Sequence, residues 1–155
     1  MSMWDRDHGR VRVVDSETRY RTADLLPPAG TVVVAHVDGA DMGDEDEVFT
    51  QFYHAFELPN YFGWNWPALS DCLRDLDWLP ANRYILSISN ADLALSQNPG
   101  LRGIFLQLLN TVSTHWAGPG NYRGGQPVVF DVLLICAGAA VSRLESELQS
   151  LNRQG

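Results

Sequence analysis

Between Leu58 and Pro80 the chain reads LPNYFGWNWPALSDCLRDLDWLP, and most of its usable chemistry is concentrated there. Tyr61, Phe62, Gly63 and Trp64 form an aromatic turn that runs through Asn65, Trp66 and Pro67 into a short amphipathic segment. That segment carries Asp71, Asp75 and Asp77 with a single base, Arg74. Flat rings next to carboxylates suit contact with another protein. A carboxylate can occupy a basic cleft built to read phosphate, and aromatic faces can pack on the cleft walls.

The charge distribution points the same way. Of the net charge of −8, the excess lies in residues 32–80, which hold ten acids and only Arg74 as a base. The stretches on either side are close to balanced. Such a field repels nucleic acid and steers a basic partner. Asp44, Glu45, Asp46 and Glu47 suit a helix N-terminus, where the macrodipole favours negative charge. Asp71, Asp75 and Asp77 fall in the middle and end of the next expected helix, where capping does not account for them.

The elements that position these residues follow from periodicity. Val11–Val14 and Tyr20–Thr22 are candidates for a short hairpin or an edge strand, and Leu25–Gly30 is a turn-rich connector. Thr31–Val37, Arg83–Ser89 and Val128–Cys136 are apolar, β-branched runs that predict three buried strands. A helix is expected from Glu45 to Phe56, with Val48, Phe49, Phe52, Tyr53 and Phe56 inward, and Asp44 with Glu47 has the spacing of a capping box. Pro59 stops it and Gly63 is expected to permit the tight bend. A second helix begins at Asn65 or Trp66, with Asn65 as N-cap and Pro67 tolerated in the first turn. Its inward face is Ala68, Leu69, Cys72, Leu73 and Leu76. Gly100–Trp116 predicts a longer helix with Leu101, Ile104, Phe105, Leu108, Leu109, Val112 and Trp116 on one stripe. Gly118–Gln126 is expected to be a flexible loop. A last helix over Val141–Leu151 places Val141, Leu144, Leu148 and Leu151 at heptad-like spacing, for docking on the same core or for an oligomer seam. The expected product is one α/β domain over residues 1–155 with a small three-stranded parallel sheet packed by helices.

Other chemistries fit poorly. There is no phosphate-binding glycine loop, dinucleotide fingerprint or zinc-protease motif. Gly39 and Gly43 are misplaced for a calcium loop, and no metal or cofactor is expected. His36 reads as a strand residue, and His54 with Cys72 is a poor nucleophile pair because nearby carboxylates raise a thiol's pKa. Cys72 and Cys136 read as buried thiols. No apolar run of 18 residues and no basic leader before an apolar stretch occur, so a cytoplasmic protein is expected, without membrane contact and monomeric when free.

The run Leu58, Pro59, Tyr61, Phe62, Gly63, Asn65, Ala68, Leu69, Asp71, Cys72 and Leu73 resembles the binding segment of the barstar family, intracellular inhibitors of bacterial ribonucleases. The order of elements over residues 31–136 suits that fold, leaving residues 1–30 and the final helix as extensions. The resemblance implies a protein that is not an enzyme. It would bind a small basic ribonuclease or nuclease toxin 1:1, with Asp71 taking the place of an RNA phosphate. Tyr61 and its neighbours Phe62, Trp64 and Trp66 would pack on the enzyme, with core as the alternative place for Phe62, and Gly63 and Asn65 would shape the loop. Arg74 and Asp75 belong to the same face. Pro67 stands where barstar has an acid, and Gln97 is aligned with a second one. Trp64 and Trp66 replace an acid and a Leu, and both are expected on the surface. These departures leave open a barstar-like module for a basic partner that is not a ribonuclease.

Overall fold

Parallel strands buried on both faces need near-continuous apolar runs, which Arg83–Ser89 and Val129–Cys136 supply, whereas Val32–Asp38, expected to be buried, lies at an edge and leaves Val34 and His36 exposed. A computed structural model describes residues 11–17 and 31–154. In chain order its elements are β1 (Val11–Asp15), β2 (Val32–Asp38), α1 (Glu45–Ala55), α2 (Trp66–Leu73), β3 (Arg83–Ser89), α3 (Arg102–Ala117), β4 (Tyr122–Arg123), β5 (Gln126–Pro127), β6 (Val129–Cys136) and α4 (Gly138–Gln154). The main sheet is parallel throughout, in the order β1-β6-β3-β2. It therefore has four strands rather than the three expected. Val11–Asp15 takes the edge-strand alternative, pairing in register from Val11↔Val132 to Asp15↔Cys136. Five residues of alternating type do not reveal a partner more than a hundred positions away, so the pairing is a tertiary fact. Tyr20–Thr22 and Leu25–Gly30 lie outside the described residues.

The main core joins one face of the sheet to the four helices. Ala35, Val37, Leu86, Ile88, Phe130, Val132 and Leu134 meet Val48, Phe49 and Phe52 of α1, Leu69 and Leu73 of α2, Phe105, Leu109 and Val112 of α3, and Leu144 of α4. Phe52 stacks on Phe56 and meets Phe105 edge-on, tying α1 to α3. Val141, Leu148 and Leu151 pack against this same core, so α4 spends its apolar stripe on docking. On the stripe expected for α3, Ile104 is exposed and Leu106 is buried instead. The other sheet face carries a smaller cluster of Val14, Ile85 and Leu133. Arg83 and Asp131, on β3 and β6, form a buried ion pair, each charge relieving the cost of burying the other.

Local chemistry sets the boundaries that matter for the site. Asp44 caps α1, its Oδ1 accepting from the Glu47 N–H at 2.9 Å. Asn65 caps α2, accepting from the Ala68 N–H at 2.8 Å. The helix α2 is shorter than the periodicity suggests. It closes at Arg74, and Leu76 turns left-handed at φ +52° while remaining buried. Asp75 and Asp77 therefore sit in the turn beyond the helix, and among the three acids only Asp71 is helical. After β2, Gly39 passes so close to the Asn90 carbonyl that a Cβ would lie 2.1 Å from its oxygen, so no side chain fits there.

Candidate partner-binding face

The α2 helix buries Leu69, Cys72 and Leu73 and turns Asp71 outward. The Asp71 side chain is 75% exposed, and its Oδ1 accepts from Arg74 Nη2 at 2.7 Å. Arg74 is steadied by its Nε, which donates to the Ser70 carbonyl at 3.2 Å. Pro67 is exposed in the first turn of the same helix, where its missing N–H costs no helical hydrogen bond.

The aromatic residues divide into two groups. Tyr61 is 69% exposed and Trp64 47% exposed. Phe62 is 4% exposed, packed edge-on to Phe49 and against Trp64. It holds the loop from within and does not face outward as a contact residue would. Trp66 also departs from expectation. Its ring is half-buried against Phe49 and Phe105, and its indole N–H donates to Glu45 Oε2 at 3.0 Å. As the first residue of α2, it joins that helix to α1 through Glu45 and Phe49 and to α3 through Phe105. Glu45, expected mainly to suit the start of α1, is its acceptor.

The tight bend falls one residue later than expected. Trp64, not Gly63, takes the left-handed conformation, at φ +54°. That is a costly backbone state for a bulky side chain. Its ring stacks on Tyr53 at 5.1 Å with an interplanar angle of 30°, and leans on Phe62. Those contacts offset the strain. Gly63 is instead in a crowded place: a Cβ there would lie 3.3 Å from the Ala68 Cβ, which would have to give by a few tenths of an ångström. Asn65 ties loop to helix, its Nδ2 donating to the Gly63 carbonyl at 3.2 Å.

Past α2, Asp77 bears on its neighbour Asp75. Desolvation, then a hydrogen bond with Asp77 and its charge, hold the Asp75 carboxyl above its usual range. Desolvation followed by the fields of Asp75, Cys72 and Asp77 also raises the Tyr61 phenol. Burial, then Asp71 and Asp75, raise the Cys72 thiol, the opposite of what a nucleophile needs. His54 is exposed with its ring against Tyr53, and His36 bonds the Ser87 and Ser89 hydroxyls.

Sequence reasoning missed the anchor of this turn. The segment expected to be a flexible loop forms the β4–β5 hairpin, and its Arg123 reaches across. Its Nη2 donates to the Asp75 carbonyl at 2.9 Å, and its Nη1 donates to the Ala81 carbonyl and to the Tyr84 hydroxyl. The guanidinium also lies over the rings of Tyr84 and Trp116. Trp116 donates its indole N–H to the Leu73 carbonyl, closing the end of α2. A lone Arg in a Gly-rich run offers no signal of these bonds. Gln97 lies against Gly43, just before α1, and its backbone N–H donates to the Gly43 carbonyl at 2.9 Å.

A parallel α/β sheet with its helices gathered on one face thus carries an acidic helix flank beside an exposed aromatic turn. The family model described as Barstar (barnase inhibitor) matches residues 32–134, well over half of the 155 residues, and the chain belongs to the barstar family. The β1 strand and the α4 helix lie outside the matched range. No curated protein matches the chain.

Proposed function

We propose that this protein is an intracellular inhibitor of a bacterial ribonuclease, blocking the enzyme's cleft 1:1 without turnover. The observation that carries the reading is the outward carboxylate of Asp71, on a helix that follows exposed Tyr61 and Trp64 in the acidic third of a barstar-family chain. A carboxylate entering a desolvated basic cleft makes charge-assisted hydrogen bonds in place of an RNA phosphate. Tyr61 and Trp64 supply flat apolar contact around it. The partner is a small basic ribonuclease or nuclease toxin; nucleic acid is repelled by the same field. Tyr61, Trp64, Pro67, Asp71, Arg74 and Asp75 form the contact surface, with Phe62, Gly63, Asn65 and Trp66 shaping it. The test is inhibition of barnase and a panel of guanyl-preferring microbial ribonucleases by the purified protein. Stoichiometric inhibition of at least one member supports the reading, and activity of all members in the presence of excess protein refutes it.

Pro67 favours a second reading, since it removes an acid that the family's pattern places on this face. In that reading the same surface binds a basic protein that is not a ribonuclease. Capture of partners from the native cell, with Asp71→Ala as the control bait, separates the two by the identity of what is retained.

A further inference from the structure

The proposed contact surface contains a cation that a simple anionic plug would not carry. Arg74 is the one base among ten acids in residues 32–80, and it sits on the central acid. Two of its donors are committed, Nη2 to Asp71 and Nε to the Ser70 carbonyl, which fixes the guanidinium plane beside the carboxylate. Its Nη1 makes no bond to the described residues, and the side chain is 36% exposed. A pair this open to water contributes little to stability. A cation at a helix C-terminus is favourable, but that role does not require Arg74 to be bonded to Asp71.

The pair changes what can bind. Toward a cleft offering only cations, Arg74 adds like-charge repulsion at the centre of contact. Toward a cleft with an acid beside its phosphate-binding bases, Asp71 and Arg74 both find partners. Resting on the reading of Asp71 as the phosphate mimic, we infer that Arg74 is a specificity-determining residue, and that the partner's cleft holds a carboxylate next to the groups that receive Asp71. A ribonuclease that uses a carboxylate as general base to deprotonate the 2′-hydroxyl has this arrangement. One that relies on imidazole alone does not, and is rejected by the same cation.

The test measures binding by calorimetry to whichever panel ribonuclease is inhibited, barnase first, and to that enzyme with its catalytic carboxylate changed to the amide. Arg74→Ala is expected to bind the unmodified enzyme about tenfold or more weakly than wild type, the scale of a lost charged hydrogen bond. Against the amide enzyme, wild type and Arg74→Ala are expected to bind alike. Equal or tighter binding of Arg74→Ala to the unmodified enzyme overturns the inference. So does a loss that persists against the amide enzyme, since Arg74 would then merely hold Asp71 in place. Asp71→Asn is measured in parallel. If it binds as wild type does, or if no ribonuclease is bound at all, the phosphate-mimic reading falls and the inference with it. If Asp71→Asn is weak and Arg74→Ala is not, the inference alone falls.

Discussion

Asp71 and Asp75 are four positions apart, yet their surroundings give them different work. The first is open to water on the helix flank, and its pair with Arg74 contributes at most about 1 kcal/mol to folding. Asp71→Ala is therefore expected to leave the melting temperature within about a few degrees of wild type. On the proposed reading, its effect on binding is expected to be far larger. Stranding the partner's buried cations costs about 2–5 kcal/mol, a range to which the barnase–barstar complex itself contributes. Wild-type affinity in Asp71→Ala, measured by calorimetry against an inhibited ribonuclease, would remove Asp71 from the mechanism. Asp75 works against the fold at neutral pH. Its folded carboxyl holds a proton more tightly than the unfolded chain does, because of desolvation and then Asp77. Its favourable contribution is thus present at acid pH and is lost as pH rises through the raised folded value. Asp75→Asn should melt above wild type near neutral pH, and the gap should close as pH falls toward the ordinary carboxyl value. A gap that stays constant with pH counts against the raised carboxyl as its cause.

At the scale of elements, the short α2 helix is held at both ends by residues from other elements. Trp66 fastens its start to Glu45 of α1, and Trp116 of α3 closes its end on the Leu73 carbonyl. Beyond it, Arg123 of the β4–β5 hairpin holds the Asp75–Ala81 turn. Arg123→Ala leaves carbonyls without donors and is expected to cost about 1–3 kcal/mol, lowering the melting temperature. Hydrogen exchange offers the sharper readout, with faster exchange concentrated in residues 75–81. Uniform acceleration across the sheet would instead mean that Arg123 stabilises the fold globally and not this turn. The periodicity of α2 was readable, because Leu69, Cys72 and Leu73 fall at helical spacing. Its early end was not. Leu76 keeps its buried place by a left-handed turn, which preserves the apolar pattern while breaking the helix.

At the scale of the whole molecule, the acidic third of the chain contains both α1 and α2, which Glu45 and Trp66 join. Glu45 thus brings part of that charge to the start of α2, beside the proposed contact face. An on-rate steered by this field should fall steeply as salt rises, while the off-rate changes little. Stopped-flow association with an inhibited ribonuclease, from low salt to about 1 M, checks this. An on-rate indifferent to salt would mean that encounter does not depend on the net charge.

The sequence by itself determined three of the four strands, β2, β3 and β6, the long helix, the capping of α1 and α2 by Asp44 and Asn65, and the outward helix position of Asp71. These are local matters, set by apolar period and cap chemistry over a few residues. Tertiary structure alone decided that Val11–Asp15 becomes the fourth strand and that Trp66 turns inward while Trp64 stays out. It also decided that Arg123 becomes an anchor. The reason is physical. An aromatic or a cation satisfies several environments equally well, so its place depends on which neighbours the rest of the chain brings within reach.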